Sequence, residues 1–217
     1  MIGRTCVMTA CMLFPLGVGS SAADPAVTNG DFSAGLAGWV IFGPVSDGGG
    51  FALLGEDPVV ALATLEQQVV VPTGATGLSF DYGLSARPEG PSGFPFADGF
   101  AASLLDPVSA DPILNTPGFT DFFFEDRTGF QDYDPAIVSV TGGRVTLDLA
   151  GVAAGTDALI VFLLLGGDDG YATQAMVDNV EVTARGTEVI PAPAAAPLAA
   201  IGVALIGYLR RRRRLLA

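Results

Sequence analysis

The apolar residues between positions 24 and 186 fall into short runs that are separated by glycine- and proline-containing turns. The chain has 29 glycines and 15 prolines, which interrupt regular helices and strands. Within the runs, alternate residues are apolar, as in Leu78-Ser79-Phe80-Asp81-Tyr82, the spacing of a strand that buries one face. No stretch keeps a helical period beyond a turn or two. The pattern therefore predicts an all-β sandwich.

Nine segments carry this strand pattern. Leu159–Leu165 is continuously apolar, which predicts a central strand buried on both faces. The predicted strands are Gly38–Phe42, Phe51–Leu54, Ala61–Val71, Gly77–Leu84, Gly99–Asp106, Ile137–Val140, Arg144–Leu149, Ala158–Leu165 and Gln174–Thr183.

The segment Ala86–Asp134 is unusual in being rich in both proline and phenylalanine. We predict a long excursion from the sandwich, and two interpretations stay open. Long inter-strand loops at one end of a sandwich are a common binding surface. Alternatively, the phenylalanines of this loop plug the open end of the sandwich.

The charge and the residue types of the body exclude several kinds of chemistry. Four arginines stand against 23 acidic residues between Asp24 and Glu188, a formal charge of −19, which excludes nucleic acid as a partner. The chain has no histidine, and its two cysteines lie at positions 6 and 11. Catalysis by a nucleophile–histidine pair is therefore excluded, and zinc lacks its usual ligands. A glycosidase-like pair of carboxylates is the distant alternative that remains.

The N-terminus has the three parts of a secretory signal peptide. Arg4 provides a positive charge, Cys6–Val18 is apolar, and Ser21-Ala22-Ala23 forms a small-x-small cleavage site. We predict a signal peptide over residues 1–23, export by the Sec machinery, and a non-cytoplasmic ectodomain over residues 24–186.

The C-terminus combines a proline- and alanine-rich linker (residues 187–196), an apolar segment (197–209) and a basic tail (210–217). A helix from Pro197 to Leu209 would be about 20 Å long, which is marginal for a bilayer core of about 30 Å. The basic block would stay in the cytoplasm and stop transfer. We predict a transmembrane helix that anchors the protein transiently, with stop-transfer residues Arg210, Arg211, Arg212, Arg213 and Arg214.

This tail resembles the PEP-CTERM family of bacterial sorting signals, in its VPLPA-type variant. The matching motif is Val189, Ile190, Pro191, Ala192, Pro193 and Ala194, with isoleucine and alanine in place of the variant's valine and leucine. The resemblance implies that an exosortase-type enzyme processes the chain. It also implies an association with extracellular polysaccharide and a final location at the cell surface or outside the cell.

The body resembles galactose-binding-like jelly rolls, the fold of many carbohydrate-binding modules. The resemblance rests on Asn29-Gly30-Asp31-Phe32, on Gly38-Trp39, on the segments that begin at Leu65 and Leu78, and on Val177–Val182. It implies a single jelly-roll β-sandwich, and it suggests a structural calcium ion, with Asp31 and Asp178 as side-chain ligands; no other cofactor is suggested by the sequence. In the alternative, Asp31 caps its own turn and Asp178 faces solvent.

Aromatic residues are the remaining candidates for ligand binding. Trp39, the only tryptophan, is expected in the core. Tyr133 and Tyr171 are predicted to lie in polar loops, either as residues that stack on a sugar or as ordinary loop aromatics. The leading hypothesis is a non-enzymatic structural or adhesive protein associated with exopolysaccharide. The alternative is a calcium-supported carbohydrate-binding module.

Overall fold

A computed structural model describes residues 26–56, 62–85, 98–114, 121–127, 130–166 and 173–185. Within these ranges the chain forms two six-stranded β-sheets and no helix. The strands are β1 (Val40–Phe42), β2 (Val45–Asp47), β3 (Ala52–Gly55), β4 (Leu62–Val70), β5 (Ala75–Ser85), β6 (Gly99–Leu105), β7 (Phe124–Arg127), β8 (Phe130–Tyr133), β9 (Val138–Thr141), β10 (Arg144–Asp148), β11 (Asp157–Leu165) and β12 (Gln174–Ala184). The predicted all-β jelly-roll sandwich is confirmed.

The two sheets are antiparallel throughout. Sheet A has the strand order β1-β4-β11-β6-β7-β8, and sheet B has the order β2-β3-β12-β5-β10-β9. In sheet A, β11 pairs with β4 over nine residues, from Asp157 opposite Val70 to Leu165 opposite Leu62. In sheet B, the pairing of β12 with β5 shifts register between Asp178 and Glu181. This β-bulge becomes important at the candidate site.

The core between the sheets is rich in phenylalanine. Phe80 of sheet B lies 4.8 Å from Phe162 of sheet A and 6.2 Å from Phe100, measured between ring centroids. Trp39 is buried and packs 5.3 Å from Phe32, in agreement with its expected place in the core. Edge-to-face and stacked rings of this kind stabilise a core beyond the area that they bury.

The segment before β1 closes one open edge of the sandwich. The buried Gln67 side chain of sheet A accepts a hydrogen bond from the Thr28 N–H (2.7 Å) and donates to the Thr28 and Gly38 carbonyl oxygens. On the other side, the Val180 N–H of sheet B donates to the Gly30 carbonyl oxygen (2.8 Å). The segment is thereby fixed to both sheets.

The central strand β11 corrects one prediction. Ala158, Ile160, Phe162 and Leu164 are buried, whereas the alternate residues are only partly buried and Leu165 is 41% exposed. The prediction that this strand is buried on both faces is wrong, because a sheet in a two-layer sandwich has only one face against the core. The apolar residues on its other face give sheet A a hydrophobic outer surface.

The region predicted as an excursion contributes three strands to sheet A, namely β6, β7 and β8. Phe123 and Phe124 are buried in the core, whereas Phe130 is 69% exposed. Part of the region is therefore sheet rather than loop, and three of its phenylalanines, Phe100, Phe123 and Phe124, fill the interior. Phe94, Phe96 and Phe119 lie outside the described residues.

The strand register defines two ends of the sandwich. At one end, the loop end, Gln174 of β12 lies opposite Ser85 and Gly55. At the other, the tail end, Ala184 lies opposite Ala75, and the Arg185 N–H donates to the Gly74 carbonyl oxygen (2.8 Å). No helix among the described residues is long and apolar enough to cross a membrane. The predicted signal peptide, sorting motif, C-terminal helix and arginine block lie outside those residues.

Candidate functional site

The bulge in β12 shapes the outer face of sheet B. Asn179 has a positive φ of 49°, a conformation that asparagine adopts more readily than most residues. The extra residues of the bulge allow Val180 to be buried while Asn179 and Glu181, on either side of it, are exposed. The bulge thus brings polar side chains beside the neighbouring strand β5.

Five polar side chains on β5, β10 and β12 form one hydrogen-bonded group, which we call the Arg144 cluster: Ser79, Asp81, Arg144, Asn179 and Glu181. Arg144 Nη1 donates to Asp81 Oδ1 (2.9 Å), and Nη2 donates to Ser79 Oγ (2.8 Å) and to Glu181 Oε1. The Asn179 amide donates to Asp81 Oδ2 (2.8 Å).

The Arg144 cluster is accessible to solvent. The side chains of Arg144 and Asp81 are 35% and 36% exposed, and that of Glu181 is 61% exposed. Exposed ion pairs contribute little to stability individually, although a planar guanidinium held by three partners is well ordered. The cluster therefore presents a rigid array of donors and acceptors at the surface.

Asp31 lies beside this cluster. It lines an open pocket of about 290 Å³ together with Arg144, Asn179, Val180 and Glu181. The position of Asp31 follows from the turn before it, since the Asn29 side chain donates to the carbonyl oxygens of Gly35 and Ala37. The Asn-Gly-Asp-Phe motif is thus the local structure that places Asp31 at the pocket.

The two predicted calcium ligands each have a local partner. Asp31 Oδ1 accepts hydrogen bonds from the N–H (3.2 Å) and the hydroxyl (3.0 Å) of Ser33, which lower the pKa of Asp31. Asp178 accepts from the N–H and the side-chain amide of Asn179. Within the described ranges, no three acidic side chains converge as a metal site would require. Calcium would need backbone carbonyls or water to complete its six to eight oxygens.

A second polar group lies at the loop end. The Thr173 hydroxyl donates to the buried Asp98 carboxylate, and the Thr173 N–H donates to Glu56 Oε2 (3.0 Å). Asp98 is only 3% exposed, and a buried carboxylate is stable only when it is hydrogen-bonded. The group joins the ends of β3, β6 and β12 and holds the two sheets together there.

Tyr133 does not lie in a loop. It ends strand β8 and packs against the buried Phe124, with ring centroids 6.1 Å apart. Nearby, the Tyr82 hydroxyl donates to the buried Asp126 carboxylate (3.0 Å) across the two sheets. Burial raises the pKa of the Tyr82 phenol well above its usual value, and Asp126 acts in the same direction. The other candidate for stacking, Tyr171, lies outside the described residues.

The sequence motifs indicate Asp31 and Asp178 but not Arg144, the residue that organises the polar side chains beside them. Arg144 is one of only four basic residues in the body. In such an acidic body, a lone arginine within a strand pattern is a signal that acidic partners surround it. The identity of those partners depends on strand register, which the sequence does not show.

No protein-family model and no curated protein matches this sequence. The chain is similar to solved β-sandwich structures. One is TmCBM61 in complex with β-1,4-galactotriose (12% identity, 75% of this chain and 100% of that chain, TM-score 0.43). Another is a carbohydrate-binding module of the β-sandwich superfamily (18% identity, 75% and 64%, TM-score 0.36).

A further similarity is to the enzymatically active domain of tailspike protein 4 of bacteriophage CBA120 (13% identity, TM-score 0.43). It covers 74% of this chain but only 21% of the tailspike chain. These similarities assign neither a ligand nor an activity to this chain.

Proposed function

We propose that the protein is an exported surface or extracellular component that acts by adhesion or structural association with exopolysaccharide and not by catalysis. The observation that carries the proposal is the order of segments in one chain. A signal-like N-terminus precedes an acidic β-sandwich, and a proline-rich motif, an apolar segment and five arginines follow it. An exosortase-type enzyme would release or transfer the sandwich after export.

The processing step is tested in a bacterium that contains an exosortase. Deletion of Arg210–Arg214 removes the stop-transfer charge, so we expect the chain to remain unprocessed or to be mislocalised. Mass spectrometry of the mature protein gives both ends of the chain. Normal surface display of the deletion variant, with the same mature mass as the native protein, would contradict the proposal.

The Arg144 cluster is the surface that we propose for contact with a glycan. Sugar hydroxyls both donate and accept hydrogen bonds, and this cluster offers guanidinium and amide donors beside carboxylate acceptors. The open pocket next to it has room for a sugar ring rather than a deeply enclosed ligand. Such a surface would support weak contacts with a polymer, repeated along its length.

The glycan proposal is tested with the full chain in detergent on an array of bacterial exopolysaccharides. Arg144→Gln removes the donor that organises the cluster, so we expect the signal of any retained glycan to fall at least about tenfold. Arg185→Gln is the matched control, because it makes the same charge change at the tail end. Equal binding by both variants would place the glycan contact elsewhere.

A calcium-supported carbohydrate-binding module is the second candidate, since Asp31 lies at the same pocket as the Arg144 cluster. Bound calcium would stabilise the folded chain by mass action. We therefore expect addition of calcium to raise the melting temperature, and removal of calcium with EDTA to lower it. An Asp31→Asn variant should lose this response. A melting temperature that is the same with EDTA and with millimolar calcium excludes the ion.

A further inference from the structure

The four edge strands of the sandwich differ in how they are protected against pairing with another chain. Native edge strands usually carry charged side chains, prolines or bulges that prevent such pairing. Edge β2 carries Asp47, edge β8 carries Asp132, and edge β9 presents Ser139 and Thr141 to solvent. Edge β1 is short, with the sequence Val-Ile-Phe, and it is the one described edge strand that has neither a charged nor a polar side chain.

All three residues of β1 are exposed. Val40, Ile41 and Phe42 are 67%, 47% and 58% exposed, and among the described residues β1 pairs only with β4. Val40 and Phe42 lie on one face of the sheet and Ile41 on the other, so the edge is apolar on both faces. The surrounding residues 32–46 include no ionisable side chain.

We infer that β1 pairs antiparallel with β1 of a second copy of this chain, which joins two copies of sheet A into one continuous twelve-stranded sheet. A three-residue strand is self-complementary in this arrangement. Ile41 faces Ile41 of the second copy at the two-fold axis, and Val40 faces Phe42. Cross-strand pairs of β-branched and aromatic residues of this kind are favourable.

The absence of charge around β1 favours a second copy over other occupants of this strand. Two bodies of charge −19 repel each other over most of their surfaces, so the uncharged segment around β1 is where two copies can meet. A basic partner would instead bind the acidic remainder of the surface. A glycan would need hydrogen-bonding side chains, which β1 lacks. The inference is independent of the proposed function.

The interface is small. Pairing of two three-residue strands buries less than the roughly 800 Å² per partner of a standard stable interface. We therefore expect a weak dimer that forms at high concentration, on the order of 100 μM. Anchoring of copies in one membrane would raise their effective concentration.

The test compares two variants of the full chain in detergent by sedimentation equilibrium. Val40→Asp places a carboxylate inside the pairing, so we expect its dissociation constant to rise at least about tenfold. Val108→Asp is the matched control, because Val108 is 94% exposed in a turn and the charge change is the same. It should stay within about twofold of the native chain.

Salt and hydrogen exchange give further readouts. Salt screens the repulsion between acidic bodies, so the native dimer should strengthen from about 50 to 500 mM NaCl. At high concentration, hydrogen exchange should slow at residues 40–42. A native chain that is monomeric at every concentration overturns the inference. If Val40→Asp dimerises with the same dissociation constant as the native chain, the inference is also overturned. The C-terminal tail, which both chains contain, would then be the cause of dimerisation. Matching circular dichroism spectra would show that both variants are folded.

Discussion

Replacement of Gly30 by alanine tests the contact that fixes the N-terminal segment to the β12 bulge. A Cβ atom at Gly30 would lie 1.9 Å from the Val180 carbonyl oxygen, far inside van der Waals contact. Because the obstacle is backbone, no side-chain rotation can relieve the clash. The segment must move by more than 1 Å or so, which also breaks the hydrogen bond from the Val180 N–H to the Gly30 carbonyl oxygen.

The cost has two parts. Overpacking of a fitted site costs about 1–3 kcal/mol, and loss of the partner of a buried N–H costs about 1–3 kcal/mol. We therefore expect Gly30→Ala to lower the free energy of unfolding by about 2–6 kcal/mol. For a domain of this size that corresponds to a fall in melting temperature of roughly 4–24 °C.

Gly151→Ala is the matched control. A Cβ atom there would have ordinary contact with Leu114, at 3.7 Å, so we expect a change within about 0.5 kcal/mol. Urea unfolding of the full chain in detergent, followed by tryptophan fluorescence, measures both variants. If Gly30→Ala unfolds within about 1 kcal/mol of the native chain, the close approach of Gly30 to β12 is refuted. The placement of Asp31 at the pocket would then also be contradicted.

Two other predictions concern the interior. The folded-state pKa of Tyr82 is raised above the unfolded value of about 10, so its contribution to stability is present below that pH and is lost as pH rises through the folded-state pKa. Between pH 10 and 12 the melting temperature of the native chain should therefore fall more steeply than that of Tyr82→Phe, and parallel curves would contradict this. Phe162→Ala should lower the free energy of unfolding by about 3–5 kcal/mol, because the ring is fully buried. Leu165→Ala on the same strand should lower it by less than about 1 kcal/mol. If urea unfolding gives equal losses for the two variants, the assignment of which face of β11 lies against the core is contradicted.

The strands that could be predicted from the sequence are those with a clear alternation. The apolar positions of β5 and β10, such as Leu78, Phe80 and Val145, face the core as their spacing indicates. Strands β2, β7 and β8 were missed. In β7 the buried face includes Asp126, whose carboxylate accepts hydrogen bonds from Tyr82 and Gln131. A local pattern cannot show such partners, because they come from other strands.

The contacts of the candidate site are even harder to predict from a local sequence pattern, because its residues come from distant parts of the chain. Asp81 and Arg144 are 63 residues apart in the chain, and Arg144 and Glu181 are 37 apart. Their meeting depends on the register of β5 with β10 and on the bulge in β12. The Asn-Gly-Asp-Phe motif could be recognised because its hydrogen bonds are local. The cluster could not, because a shift of one residue in either pairing would turn its side chains to the opposite face.

The register also gives the sandwich an orientation relative to the proposed anchor. The chain leaves β12 at Arg185, at the tail end, whereas Glu56, Asp98 and Thr173 lie at the loop end. The eleven residues of β12 span about 35 Å between the two ends. The proposed C-terminal anchor would therefore join the sandwich at its tail end, about the length of β12 away from the loop end. The Arg144 cluster lies part of the way along the side between the two ends, so a long polymer could contact it from the side.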